Sequence, residues 1–224
     1  MYALMHMLIG LVVRIYLWGR LKVTGQELIP RTGPLIVCSN HPSSVDPLIV
    51  ALCLPRRDSW SMAKSEWFVG WIGWLFRWLH AFPVVRDSPD RTAIRKALGI
   101  LERGEALIIF PEGRVEWGCM EHAKGGSGLL ARLSGASVLP VGVVNTERCV
   151  PRGEFWPRRV RLEVRFGKPI QILPRRSDGR KVSNQEAMDA IMLAIAKLLP
   201  SPMRGAYADL DDLEFRLRGV SEFL

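Results

Sequence analysis

The chain has 224 residues, 48% hydrophobic and 24% charged, with 31 Lys and Arg against 22 Asp and Glu, a formal charge of +9 and a pI of about 9.9. This is a globular composition, long enough for one well-cored domain with small appendages, which excludes a disordered chain or a short peptide scaffold. The positive balance calls for an anionic partner, whether nucleic acid, anionic lipid or a phosphorylated substrate, and a mean hydropathy of +0.10 leans toward lipid.

The opening MYALMHMLIGLVVRIYLWGR has neither a basic start nor a small-residue cleavage site, and His6 and Arg14 interrupt the apolar run needed to span a bilayer. Residues 1–20 therefore read as a membrane-associated helix lying in the interface, with Arg14 reaching for headgroups. The run Leu35–Cys38 reads as a buried strand that delivers NHPSSVD, residues 40–46. Two readings stand at this point. His41 and Asp46 form a pair that makes a hydroxyl nucleophilic, the carboxylate fixing the ring's tautomer. Alternatively, Asp46 caps a helix opening at Pro47 and His41 only bonds the loop.

A strand around Ser61–Ala63 is followed by Lys64. Then comes EWFVGWIGWLFRWLHAF, read as a helix over 66–81. At ~100° per residue Trp67, Trp71, Trp74 and Trp78 fall within roughly 60° of arc, and indoles favour the headgroup level of a membrane. Gly70 and Gly73 leave close packing and a kink both open. A strand over Phe82–Val85 ends in Arg86, and SPDRTAIRKALGILERG reads as a helix capped by Ser88 with Pro89 at its first position.

The strand Ala106–Phe110 runs into Pro111-Glu112-Gly113-Arg114, leaving a carboxylate and a guanidinium at a strand end. AKGGSG offers Lys124 and flexible backbone, but Leu129 stands where a nucleophile elbow starting at Gly125 requires glycine. A short helix from Gly128, a strand over Val138–Val144 and a strand over Val160–Phe166 follow. A long helix, NQEAMDAIMLAIAKLLP, then leads to a tail over 201–224 that reads equally as a docked helix or a loose end. Between Thr146 and Lys181 stand eleven Lys and Arg against four Asp and Glu, a net +7 of the total +9. PRRVRLEVRF alternates an apolar with a basic face, each arginine reading most simply as a solvated edge-strand charge.

Strand and helix alternation argues an α/β fold with a central, mostly parallel or mixed sheet flanked by helices, plus the N-terminal membrane-associated helix. Four unpaired-looking cysteines (Cys38, Cys53, Cys119, Cys149) show no metal or redox spacing and suit a reducing, cytoplasmic setting.

Together, NHPSSVD, FPVVRD, FPEGR and VLPVGVV resemble, in order and spacing, the motif blocks of the glycerolipid acyltransferase family typified by 1-acylglycerol-3-phosphate acyltransferase. The resemblance implies an acyltransferase domain over 21–200 on the cytoplasmic face of a membrane, peripheral or monotopic. His41 would act as general base and Asp46 as its orienter. Acyl-CoA or acyl-carrier protein would be the donor and a lysophospholipid the acceptor, with no metal or other cofactor. Arg86 would meet the acceptor phosphate, Glu112 and Gly113 would shape the site, Arg114 would share the phosphate, and Pro140 would shape the last block. Lys64 and Lys124 are further anion-binding candidates.

The family's third block reads F-P-E-G-T-R-S, whereas here Arg114 follows Gly113 directly, then Val115 and Glu116. This leaves lysophosphatidic acid, glycerol 3-phosphate and a phosphate-free lysolipid as acceptors. A basic membrane-binding scaffold without activity is the competing class. Nucleic-acid binding ranks low, because the basic region holds only Phe155, Trp156 and Phe166 for stacking.

Overall fold

A computed structural model describes residues 15–17, 19–85, 90–116, 118–123, 125–151, 153–154 and 156–224, and only the backbone of Ile72. The expected membrane-associated helix over 1–20 therefore lies almost wholly outside the described residues, as do Arg86, Ser88, Pro89 and Lys124. No helix among the described residues is long and apolar enough to cross a membrane.

The strands are β1 (Leu21–Thr24), β2 (Leu35–Ser39), β3 (Ser59–Lys64), β4 (Ala81–Val84), β5 (Ala106–Ile109), β6 (Ser137–Val144), β7 (Leu162–Phe166), β8 (Ile170–Ile172) and β9 (Ser221–Phe223). They form one sheet in the order β1-β7-β6-β2-β5-β3-β4, with β8 beside β6 and β9 beside β8. β6, β2, β5, β3 and β4 all run parallel, while β7 and β8 pair antiparallel to β6. The expected mixed, largely parallel α/β architecture is thus present. The helices are α1 (Asp46–Cys53), α2 (Gly70–Trp78), α3 (Arg91–Glu102), α4 (Gly126–Ser134), α5 (Thr146–Cys149), α6 (Asn184–Ala196) and α7 (Leu210–Arg216).

β2 shows why the central strands are continuous apolar runs: all five residues are buried, because helices cover both faces. Leu35 and Val37 pack with Ile49, Val50 and Cys53 of α1, whereas Ile36 and Cys38 join the core under α3, α4 and α6. On α6 a capping box at Ser183 and Glu186 fixes the first turn. Gly128 lets α4 approach α6 so closely that a Cβ there would lie 2.3 Å from the Asn184 carbonyl oxygen.

Several expectations are corrected. The Trp-rich segment is not one helix over 66–81. A 3-10 turn at Ser65–Trp67 precedes α2, and the chain is already in β4 at Ala81. Gly70 and Gly73 both matter. Gly70 takes a left-handed φ of 54° as α2 begins, and at Gly73 a Cβ would lie 2.3 Å from the backbone of Phe68. Asp90, not Ser88, caps α3, accepting from Ala93 N–H at 2.9 Å.

β7 alternates as expected, with Leu162, Val164 and Phe166 buried, but it lies between β1 and β6 rather than at an edge. The sequence LKVT, which carries no strong strand signal, supplies the covering strand β1. The 201–224 segment is docked: Tyr207, Leu213, Leu217 and Val220 are buried, and β9 extends the sheet.

At the N-terminal edge of the parallel strands Arg56 is 3% exposed. It donates to Asp58, to Gly33 O at 2.7 Å and to Gly104 O at 2.8 Å, tying together the loops that enter β2, β3 and β5. Arg56→Met strands both carbonyls and should lower the unfolding free energy by about 2–4 kcal/mol in urea denaturation. A change below about 1 kcal/mol would remove the arginine from the fold's supports.

Candidate active site

The C-terminal edge of the parallel strands collects the polar groups, as expected for an open α/β sheet. β2 ends at Ser39, and Asn40 continues it through its side chain. Asn40 Nδ2 donates to Val143 O at 2.9 Å and its Oδ1 accepts from Val143 N–H at 2.8 Å, so the amide pairs with β6 as a peptide would. This clamp fixes where His41 leaves the sheet. The turn Ser43–Asp46 then brings the carboxylate back, Asp46 N–H bonding Ser43 O at 3.2 Å.

His41 Nδ1 lies 2.9 Å from Asp46 Oδ2, which also accepts from Ser43 N–H at 2.7 Å. Of the two arrangements left open by the sequence, the side-chain contact is present and the helix cap is not. Asp46 is the first residue of α1, not its cap, and the cap position, Val45, carries no side-chain bond. Both side chains are buried, and Phe110 covers the imidazole at a ring-centroid distance of 4.3 Å. Burial pushes the Asp46 carboxyl above its ordinary range, against the opposing pull of His41 and the Ser43 N–H. With Nδ1 committed to Asp46, Nε2 is the nitrogen available to an incoming hydroxyl.

FPEG forms a turn in which Gly113 N–H bonds Phe110 O at 3.0 Å, and Gly113 has a φ of 74°, favouring glycine. Glu112 accepts from His41 N–H at 3.0 Å and from Glu121 N–H at 3.3 Å. It therefore braces the backbone of the histidine and the loop that follows. Glu116 N–H bonds His41 O at 2.9 Å, so the same loop holds His41 from both sides of its peptide.

Arg114 points outward. It is paired with Glu116 and, at 2.7 Å, with Glu121, a latch across the loop and not a bare cation. Lys64, at the end of β3, is paired with Glu66 at 2.8 Å. Arg86 and Lys124 lie outside the described residues. Pro140 sits in β6 where its antiparallel neighbour changes from β8 at Val138 to β7 at Val141, a break that tolerates a missing N–H.

Beside His41 lies a shallow open depression, lined among others by Asn40, Glu112, Glu116, Cys119, Met120 and Met203. Met203 comes from the C-terminal segment, which is stitched to the site loop by Met120 N–H to Met203 O and Ala206 N–H to Met120 O, both 3.0 Å. Sequence reading missed this wall and the Asn40 clamp. The only signal for the clamp was the polar residue breaking an apolar strand immediately before the histidine. No three His, Cys, Asp or Glu side chains among the described residues group as metal ligands.

Burial raises the Glu112 carboxyl from 4.5 to about 7, helped by the charges of Glu116 and Asp46 and opposed by its two N–H donors. A raised carboxyl stabilises the fold fully below the unfolded value and loses that contribution as pH climbs through about 7. The stability of the wild type relative to Glu112→Gln should therefore fall between pH ~5 and ~8 in urea denaturation. A difference that does not change with pH would mean the carboxyl is not buried in this way.

The family model described as Acyltransferase matches residues 20–144 of the 224. A 1-acyl-sn-glycerol-3-phosphate acyltransferase of Streptococcus pneumoniae is 30% identical over 188 residues, 81% of this chain and 66% of that protein. One of Bacillus subtilis is 33% identical over 105 residues, 46% of this chain and 53% of that protein. The chain thus spans just under two thirds of the first relative's length and about half of the second's. The crystal structure of the 1-acyl-sn-glycerophosphate acyltransferase PlsC from Thermotoga maritima superposes with a TM-score of 0.68 at 23% identity, over 84% of this chain and 75% of that one, a likeness of fold. With a match running from the residue before β1 to the end of β6, through the histidine, the FPEG turn and the proline strand, the chain belongs to the acyltransferase family.

Proposed function

We propose that this protein transfers a fatty acyl group from a thioester, acyl-CoA or acyl-carrier protein, to the hydroxyl of a lysophospholipid, with 1-acylglycerol 3-phosphate as the acceptor. The observation that carries this is the buried 2.9 Å contact between His41 Nδ1 and Asp46 Oδ2 at the wall of an open depression. His41 Nε2 accepts the proton of the acceptor hydroxyl as its oxygen attacks the thioester carbonyl carbon. The tetrahedral intermediate collapses, the C–S bond breaks, and the thiolate takes the proton from Nε2. Asp46 keeps the proton on Nδ1 and stabilises the imidazolium between the two transfers. The reaction written this way uses no metal or other cofactor. The names of the relatives support the acceptor class.

In this reading Arg86, which follows β4, Lys64 at the end of β3 and Lys124 serve the acceptor phosphate, and Arg114 holds its loop closed. One observation favours a second acceptor. The described residues lining the depression beside His41 include Glu112 and Glu116 and no Lys or Arg, a setting that suits a phosphate-free lysolipid.

Acyl chains and lysolipids reside in membranes, so the protein works on the cytoplasmic face of an anionic leaflet, peripherally or monotopically. Trp71 and Trp74, 75% and 62% exposed, together with exposed Trp67 and Val69, give α2 and its entry turn an uncovered aromatic surface that suits the headgroup region.

Thioester consumption in mixed micelles, with long-chain acyl-CoA or acyl-carrier protein against lysophosphatidic acid, glycerol 3-phosphate and a phosphate-free lysolipid, tests the reading. His41→Ala should cost about 10²–10⁴ in turnover. Turnover that survives this variant would remove the histidine from the chemistry. Absence of turnover by folded, vesicle-binding wild type would leave a non-enzymatic membrane scaffold. The double variant Trp71→Ala, Trp74→Ala should bind anionic vesicles at least about tenfold more weakly, with micellar turnover preserved. Undiminished vesicle binding would place the membrane contact elsewhere.

A further inference from the structure

Thr146 opens the short helix α5 directly after β6, two residues beyond the end of the family match, and is fully buried. Its surroundings hold an imbalance. Asp46 Oδ2 takes both recorded donors, His41 Nδ1 and Ser43 N–H, whereas Asp46 Oδ1 is buried with no partner, and so are Thr146 Oγ1 and Ser43 Oγ. A buried carboxylate oxygen without a donor is costly, and so is a buried hydroxyl without an acceptor. The Thr146 side chain stands close enough to Asp46 to favour its ionised form. A hydrogen bond between the two would satisfy both orphans at once.

We propose that the Thr146 hydroxyl donates to Asp46 Oδ1 and is a positioning residue for the His41–Asp46 pair. The proposal rests on the acyl-transfer reading for its kinetic consequence. Two bonds to a single oxygen anchor only one side of the carboxylate and leave Oδ1 unanchored. A third, on the other oxygen, fixes the plane and hence the imidazole that leans on it. Thr146 thus ties the site to β6, the strand already clamped by Asn40. Of the titratable groups around Asp46, His41 of its own loop pulls its carboxyl down, while Asp46 in turn raises Glu112 from the turn after β5 and Cys149 from α5, both pushed up chiefly by burial.

Thr146→Val keeps the shape and removes the donor, so kcat should fall about tenfold with KM within about twofold. The acid limb of the pH–kcat profile should move to higher pH, because a carboxylate that has lost a donor holds its proton more tightly. Thr146→Ser should restore both, which a purely packing role of the methyl group would not. Thr146→Ala serves if the valine variant does not fold.

Wild type and His41→Ala run beside these variants, so that failure of the acyl-transfer reading shows as absent wild-type turnover. In that event NMR titration of the Asp46 carboxyl carbon carries the test, expected to move upward in Thr146→Val and to return in Thr146→Ser. Unchanged kcat and titration in Thr146→Val would overturn the proposal. So would a Ser43→Ala variant that reproduced the whole effect, since the donor to Oδ1 would then be Ser43.

Discussion

A carboxylate with no solvent exposure has to be surrounded by donors, and the way this chain supplies them to Asp46 shapes the whole C-terminal edge of its sheet. One donor is a backbone N–H three residues earlier, which requires the tight turn Ser43–Asp46. Another is the imidazole of His41, which must leave the sheet in a fixed direction. That direction is set by Asn40, whose amide borrows a peptide's place against Val143 and so extends β2 one residue beyond its last strand position. The parallel pairing of β2 with β6 and β5 is therefore part of the site, because a slip of register would carry His41 away from its carboxylate.

Around this pair, charge is managed by enclosure. Glu112 spends both oxygens on backbone N–H groups, and burial raises its carboxyl to about 7. Arg114 is latched between Glu116 and Glu121 on the outer side of the loop, and the C-terminal segment holds the loop from behind through Met120. For the acyl transfer proposed above, a rigid base beside an open depression lets the substrates move while the proton acceptor stays fixed. The far end of the sheet is held by a different device, Arg56 bridging three loops, so stability and chemistry occupy opposite edges.

The parallel core was legible because β2, β5 and β6 are continuous apolar runs bounded by punctuation, and α3 and α6 because their periods and ends are clean. His41, Asp46 and the FPEG turn were legible as strand-end motifs, and the five-residue spacing does close into a pair. What the sequence hid was long-range. LKVT becomes a strand only because β7 offers it an edge, and Asn40 matters only because Val143 lies opposite. Met203 joins the site only because Gly205 lets the chain pass so close that a Cβ there would meet the Met120 carbonyl oxygen at 2.1 Å. The Trp-rich segment was misjudged for a local reason: four aromatics at helical spacing outweighed Gly70, whose left-handed φ separates the 3-10 turn from α2. Arg114 was expected toward a phosphate, and two carboxylates a few residues downstream hold it outward instead.

The central claim is that Asp46 keeps the proton of neutral His41 on Nδ1 and leaves Nε2 bare for the acceptor hydroxyl. Nitrogen NMR of histidine-labelled protein, with His41→Ala to assign the signal, reads that tautomer directly and needs no substrate. The account predicts a neutral ring protonated at Nδ1, with the preference lost in Asp46→Asn. A ring protonated at Nε2, or a tautomer ratio indifferent to Asp46, would contradict it.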